Sequence, residues 1–338
     1  MSRDPLVSIL IPAYNKEEWI GETIESALAQ TWKNTEIVIV DDGSRDKTLE
    51  IAKHFQSKTV KVIAQENQGA CAARNKAYSL AQGSYIQWLD ADDVLDPHKI
   101  LAQMTGVPDG TRSTCLRTGA FGLFYFSKER ARFRPSGLWQ DLSSADWMIT
   151  KFEESAFMNP TAWIISRNLV EKAGEWDSRL SPSGADDGEY ICRLVRNTTS
   201  VQFVPEAKSY YRIGNLSSLN HNSDKALNSL LLALELCLRH LLSVENSPRS
   251  RRACVQYLQH WFAFFYQGPS DLRERVRELA LTLGGRLVEP QFTWKFAPVR
   301  RLMGWSAANK MSRYLRDKRM LAEKAFDRWC SKPTEDSN

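Results

Sequence analysis

What this chain of 338 residues lacks narrows its reading first. It has no run of about 18 consecutive apolar residues, so no membrane-spanning helix is expected. The nearest approach, Leu230 to Leu242, is interrupted by Glu235, Arg239 and His240. The six cysteines (Cys71, Cys115, Cys192, Cys237, Cys254 and Cys330) form no C-x-x-C pair, and none stands at zinc-ligand spacing from the five histidines. Reduced thiols in the cytoplasm are the expectation. No signal-peptide core follows the early charges at Arg3 and Asp4. Neither the G-x-x-x-x-G-K-S/T phosphate loop nor the G-x-G-x-x-G dinucleotide turn occurs. The net charge of +5 is too mild to call for nucleic acid, though it suits a polyanionic small molecule or an anionic membrane surface. What remains, 43% hydrophobic and 25% charged, is the composition of a soluble globular enzyme, long enough for one large core or two moderate ones.

Strand and helix signals alternate over the first hundred residues. Strands are expected at Leu6 to Ile11, Glu36 to Val40, Val60 to Ala64 and Tyr85 to Leu89. Helices are expected at Glu17 to Gln30, Asp46 to Gln56 and Gly69 to Ala81, from apolar residues at helical spacing. This alternation predicts βαβ units, a largely parallel sheet and an α/β fold. Ligands of such sheets sit beyond the carboxyl ends of the strands. Residues 107 to 140 mix strand and loop signals, including Gly119 to Phe126. Helices are then expected at Asp141 to Lys151 and Asp187 to Val195, and strands at Thr161 to Ile165 and Val201 to Val204. After about residue 223 the signals are helical only: Ala226 to Leu242, Arg251 to Tyr266, Asp271 to Leu283 and Lys310 to Cys330. Residues 331–338 read as a disordered tail.

Four segments at strand ends carry chemistry. Ile11-Pro-Ala-Tyr-Asn-Lys16 offers Tyr14 for stacking on a base and Asn15 as a helix cap, or else a plain turn with a buried tyrosine. Val40-Asp41-Asp42-Gly43-Ser44 offers a carboxylate to a base N–H or a ribose hydroxyl, or else tight-turn chemistry with Ser44 as a cap. Gly69 opens a helix in which Arg74 comes about one turn later, placed for a base, a phosphate or a surface salt bridge. The strand Tyr85 to Leu89 then delivers Asp90, Asp92 and Asp93 beyond its end. Three carboxylates so close repel one another, which favours a hard divalent cation, Mg²⁺ or Mn²⁺, bridging to a substrate phosphate. Helix capping by Asp93 or Asp96 accounts for one of the three.

Taken together, Val-Ser-Ile-Leu-Ile-Pro-Ala-Tyr-Asn from residue 7, Ile-Val-Ile-Val-Asp-Asp-Gly-Ser from 37, Asn-Gln-Gly-Ala-Cys-Ala-Ala-Arg-Asn from 67 and Leu-Asp-Ala-Asp-Asp from 89 closely resemble family 2 glycosyltransferases of the GT-A fold. The likeness is strong over about the first 100 residues and fainter beyond. It implies a Rossmann-like GT-A domain over 1–222, with a nucleotide-sugar half (1–106) and an acceptor half (107–222), followed by a helical C-terminal appendage over 223–330. It implies a nucleotide-diphospho-sugar donor, most often UDP-linked, held by Pro12, Ala13, Tyr14, Asp41, Asp42, Arg74, Asp90 and Ala91. A metal would sit on the Asp-X-Asp step, with Asp92 as main ligand and Asp90 near the ribose or the metal. Ala185-Asp-Asp-Gly-Glu-Tyr-Ile-Cys-Arg193 resembles the acidic pair that carries the catalytic base. Asp187 aligns with the base, and Asp186 stands where relatives usually have Glu. The plain alternative is an acidic pair favoured by a helix N-terminus. Where many relatives place a metal- or diphosphate-binding His, this chain has Ile213 and Gly214, and Arg212, Ser217, Ser218 or His221 are the candidate substitutes.

The resemblance implies a single displacement with inversion. The base takes the acceptor proton, the metal neutralises the leaving diphosphate, and nearby carboxylates favour the oxocarbenium-like transition state. The Gln-X-X-Arg-Trp signature of processive members is absent, which predicts one sugar per encounter. The acceptor is expected to be a glycan, glycolipid or other glycoconjugate. A catalytically silent nucleotide-sugar binder or scaffold is the alternative. A nucleotidyltransferase is disfavoured because the first loop is neither glycine-rich nor basic. The stretch 299–330 alternates basic and apolar residues. Packing on the domain with a solvated basic face is the preferred reading, with peripheral contact to an anionic membrane the other.

Overall fold

The computed structural model describes residues 4–105, 115–214, 223–266, 268–290 and 296–331. Strands β1 (Val7–Ala13), β2 (Thr35–Asp41), β3 (Val60–Ala64) and β4 (Tyr85–Trp88) alternate with helices α1 (Ile20–Leu28), α2 (Thr48–His54) and α3 (Ala70–Leu80). There follow β5 (Val94–Leu95), α4 (Lys99–Met104), β6 (Cys115–Phe124), β7 (Arg132–Phe133), β8 (Leu142–Ser143) and α5 (Ser144–Glu154). After these come β9 (Trp163–Ser166), α6 (Arg167–Ala173), α7 (Asp186–Arg196) and β10 (Ser200–Arg212). The main path of the sheet runs β3-β2-β1-β4-β9-β6-β10-β5. The first four strands are parallel, as the βαβ pattern requires. The sheet as a whole is mixed: β9 runs antiparallel to both β4 and β6, and β5 runs antiparallel to β10.

Successive side chains of a strand point to opposite faces, and here both faces are covered. Ile9, Ile11, Ile37 and Ile39 pack with Ile20 and Ile24 of α1 and Ala52 of α2. Leu10, Val38 and Val40 pack with Ala73 and Ala77 of α3 on the other face, in a core that continues through α5 and α7. The same core extends into the C-terminal helices α8 (Asp224–Val244), α9 (Pro248–Phe265) and α10 (Ser270–Thr282). Phe152 of α5 stacks on Tyr257 of α9 with ring centroids 4.3 Å apart. The helical region therefore shares a core with the sheet domain rather than hanging from it. By length and composition alone α8 is long and apolar enough to cross a membrane, with a mean hydropathy of 1.5 over its most apolar 18 residues. Its Leu230, Leu234 and Leu241 are buried in the shared core, and His240 donates into it toward Glu189 at 2.8 Å.

Some boundaries differ from the sequence reading. α1 begins at Ile20 rather than Glu17, because loop-to-loop hydrogen bonds hold the chain before it: Asn15 N donates to Ser44 Oγ at 3.0 Å and Lys16 N to Thr48 Oγ1 at 2.6 Å. β10 is far longer than Val201 to Val204, continuing past an irregularity between Val204 and Ser209 to pair with β6 up to Arg212. The last helix, α11, spans Ala297–Cys330 with a break in helical geometry at Gly304 (φ 83°). The expected tail beyond residue 331 lies outside the described residues.

Candidate active site

The carboxyl ends of β1, β2 and β4 and the N-termini of α3 and α7 meet around one cleft of about 620 Å³. Pro12, Ala13, Tyr14, Asp42, Arg74, Asp90, Ala91, Asp92, Asp186 and Asp187 all line it. Of the residues singled out from the sequence, Asn15, Asp41 and Asp93 do not.

The β1 end projects Tyr14, 41% exposed, into the cleft mouth rather than into the core. Asn15 caps no helix. It takes a left-handed backbone (φ 50°), which Asn tolerates better than most residues, and its Oδ1 accepts from Arg45 N at 2.8 Å. After β2 the chain turns at Gly43 (φ 74°), where a Cβ would lie 2.9 Å from the backbone N of Asn67. Only glycine permits both that conformation and that approach. Asp41 Oδ2 accepts from Ser44 N at 3.0 Å, so the carboxylate serves the turn and does not reach the cleft; Ser44 likewise caps no helix. Asp42 accepts from Gln65 Nε2 (2.8 Å), Gln68 N (2.9 Å) and Gly69 N (2.8 Å), which ties the β2 turn to the start of α3.

Arg74 is buried, not a surface residue. Its guanidinium reaches Asp186 Oδ2 at 2.8 Å, Asp90 Oδ1 at 3.0 Å and Asp187 Oδ1 at 3.4 Å, and lies over the Trp176 ring 4.3 Å from its centroid. Burial alone would lower its pKa, but the three carboxylates outweigh that and hold it further above its ordinary value. Its described partners are thus protein carboxylates rather than a free face for a base or phosphate.

The acidic step beyond β4 divides. Asp90 and Asp92 face the cleft, with side chains 23% and 15% exposed, and Lys16 Nζ pairs with Asp92 Oδ2 at 2.5 Å. Asp93 turns inward instead. It is fully buried, accepting from the Thr161 hydroxyl at 2.7 Å and Arg212 N at 3.0 Å. Burial, with Asp92 and Asp90 nearby, pushes its pKa well up. The expectation of three carboxylates in the open is corrected to two, because the interior supplies Asp93 with donors. Neither Asp93 nor Asp96 caps the next helix: α4 starts at Lys99 with no side-chain cap, and Asp96 Oδ1 accepts from His98 N at 3.0 Å. Arg212 is placed as a brace. Its Nε donates to Asp92 O at 2.9 Å, its Nη2 pairs with Glu22 at 2.5 Å, and its guanidinium lies between Trp19 and Phe124. Ser217, Ser218 and His221 lie outside the described residues. Among the described residues no group of three or more acidic, His or Cys side chains forms a complete metal cage.

At the start of α7 the two carboxylates take different positions. Asp186 is buried between Arg74 and the Cys71 thiol, which donates to its Oδ2 at 3.2 Å. Asp187 keeps 23% of its side chain exposed to the cleft. Burial pushes its pKa up, to about 8, against the pull of Arg74 and with help from Asp186 and Asp90; the exposed part of the carboxylate tempers this. A carboxylate poised near neutrality can take up a proton at the cleft wall. No individual role was expected from the sequence for Lys16 or Tyr211, which line the cleft; Trp176, under Arg74, falls in the Ala173 to Asp177 stretch that resembles the family's acceptor-side segment. Lys16 had a usable signal, since it directly follows the Tyr-Asn pair, whereas Tyr211 comes from a distant segment.

This fold, with two open carboxylates at a strand end and an acidic helix start facing them, is that of the GT-A class. The glycosyl transferase family 2 model matches residues 8–174. Glycosyltransferase GlyG of Streptococcus pneumoniae is 34% identical over 219 residues, 61% of this chain and 70% of GlyG. The uncharacterized glycosyltransferase EpsJ of Bacillus subtilis is 30% identical over 223 residues, 62% of this chain and 61% of EpsJ. Chondroitin synthase of Escherichia coli is 46% identical over 102 residues, of which the chain spans only 15% of that protein's length. Among solved structures, Staphylococcus aureus TarS residues 1–349 in complex with UDP-GlcNAc superposes with a TM-score of 0.65 at 17% identity, covering 82% of this chain and 81% of that one. The chain belongs to glycosyl transferase family 2 and is a glycosyltransferase.

Proposed function

We propose that this glycosyltransferase moves one sugar from a UDP-linked donor to a hydroxyl of a glycan, glycolipid or other glycoconjugate, with inversion at the anomeric carbon and dependence on Mg²⁺ or Mn²⁺. What carries the reading is the placement of Asp187 at the start of α7 on the same cleft as Asp92 beyond β4, with the β1 and β2 ends beside them. The structural relative TarS was solved with UDP and with UDP-GlcNAc, which supports a uridine donor.

Asp187 is the general base. Its raised pKa lets it accept the acceptor hydroxyl's proton near neutral pH as that oxygen attacks. Asp186 is the positioning partner, since it holds Arg74 and so fixes the guanidinium beside Asp187 and Asp90. Tyr14, Pro12 and Asp42 bound the nucleoside end of the cleft. A divalent cation fits the hard oxygen donors Asp92 and Asp90, because such ions often take one or two protein carboxylates and complete their shell with phosphate oxygens and water. When bound it would supply Lewis-acid stabilisation of the departing diphosphate. Lys16, on Asp92 at 2.5 Å, brings a second positive charge to the same end of the cleft.

Incubation with UDP-GlcNAc and other UDP-sugars, followed by nucleotide analysis and NMR of the product's anomeric proton, tests the reaction. Released UDP with an inverted linkage is expected. Pyrophosphate, or a product of retained configuration, would contradict it.

A further inference from the structure

We infer that the outward face of α11 is a docking surface for an anionic lipid bilayer, a property separate from donor binding and transfer. The helix's rotation is fixed by what its inner side holds. Asp327 accepts from Phe126 N at 2.9 Å and pairs with Arg130 at 3.0 Å, Glu323 accepts from the Tyr125 hydroxyl at 3.2 Å, and Lys324 Nζ donates to Gly214 O at 3.2 Å. At about 100° per residue, Met311, Tyr314, Leu315 and Trp329 then share the opposite side, while Phe326, with Arg130 over its ring 5.1 Å from the centroid, lies at the edge of the domain contact. They are exposed, up to 72% at Trp329. Eight of the sixteen exposed large hydrophobic side chains among the described residues lie on this one helix, so the apolar surface is concentrated rather than scattered.

Charge selects the occupant. The helix carries nine basic and three acidic residues, and two of the acids, Glu323 and Asp327, face the domain. The apolar stripe is therefore flanked by Lys310 on one side and Arg319 on the other, with Lys318 within it; Arg319 pairs along the helix with Glu323 at 3.0 Å, and Arg328 folds back over the Phe126 ring of the domain, 5.4 Å from its centroid. A second copy would bring like charges together, and a nucleic acid would leave the stripe unmatched. An anionic bilayer matches both: apolar side chains enter the headgroup boundary, and Lys and Arg extend to lipid phosphates. Gly214, held by the inner side of the helix, also lines the cleft, so the lipid would lie about one helix diameter, roughly 10 Å, from the cleft wall.

Co-sedimentation of the full chain with phosphatidylcholine vesicles, with and without phosphatidylglycerol, tests this. Binding is expected only with phosphatidylglycerol, weakening in high salt. It should fall at least about tenfold in Leu315→Glu/Trp329→Glu, the loss expected when two apolar anchors become repelling charges. It should be unchanged in Leu281→Glu, where an equally exposed apolar residue sits on α10. Absent binding, equal binding to neutral vesicles, or full binding by the double variant would overturn the inference. So would a lipid-free dimer in analytical ultracentrifugation that the double variant dissolves, which would assign the face to a second copy. UDP titration of the same variants should be unaltered, so a failure here is separable from a failure of the donor site.

Discussion

The two neighbouring carboxylates at the start of α7 should respond to the same substitution in opposite ways. Asp187 has a folded-state pKa raised from 3.8 to about 8. An acid raised on folding contributes stability that is complete below about pH 3.8 and is lost as pH rises through about 8. At pH 7 the unfolded carboxyl is ionised while the folded one largely keeps its proton, so the group costs the fold about 1.4 kcal/mol for each pH unit above 3.8, lessened by its partial exposure. Asp187→Asn should raise stability at pH 7 by on the order of 1–3 kcal/mol, with the gain disappearing at pH 3–4. The same change removes the base and should lower kcat by about 10²–10⁴ while leaving the donor KM near its original value. Asp186→Asn breaks a buried pair with Arg74 at 2.8 Å and should cost roughly 3–5 kcal/mol. Urea unfolding at pH 4 and pH 7, read by tryptophan fluorescence, with initial rates of UDP release, separates the two. A less stable Asp187→Asn with wild-type turnover, or an Asp186→Asn that loses only activity, would refute the assignment of roles.

Lys16→Met should tighten Mn²⁺ binding in the absence of nucleotide by up to about 1 kcal/mol, or fivefold, because the ammonium and the cation share Asp92; Mn²⁺ titration by electron paramagnetic resonance reads it, and unchanged affinity would refute the competition. Gly43→Ala should destabilise by about 1–3 kcal/mol, since both the positive φ and the 2.9 Å approach to Asn67 N resist a Cβ; a thermal melt equal to wild type would contradict this.

The parallel strands and their following helices were legible because their patterns are local: Ile9 to Ile11 and Ile37 to Val40 are unbroken apolar runs, as strands covered on both faces require. The strand-end residues were legible because their positions follow from where each strand stops. Direction was not. Whether Asp93 points to the cleft or to the interior depends on Thr161 and Arg212, 68 and 119 residues away. Arg74's partners are similarly remote, with Asp186 112 residues on, so a local sequence reading could reach only as far as a generic salt bridge. The second half of β10 passes through Pro205, Glu206 and Lys208, which carry little strand propensity; its pairing with β6 and β5 supplies what the local sequence does not. The antiparallel insertion of β9 between β4 and β6 is also a non-local choice that no local pattern encodes.

The most direct test of a metal-bridged donor site is calorimetric titration of UDP into the wild-type chain and Asp92→Asn, each with and without Mn²⁺. Wild-type binding should require the metal, and Asp92→Asn should lose that metal dependence. UDP binding that is indifferent to both Mn²⁺ and the Asp92 substitution would contradict a metal-bridged donor site at the end of β4.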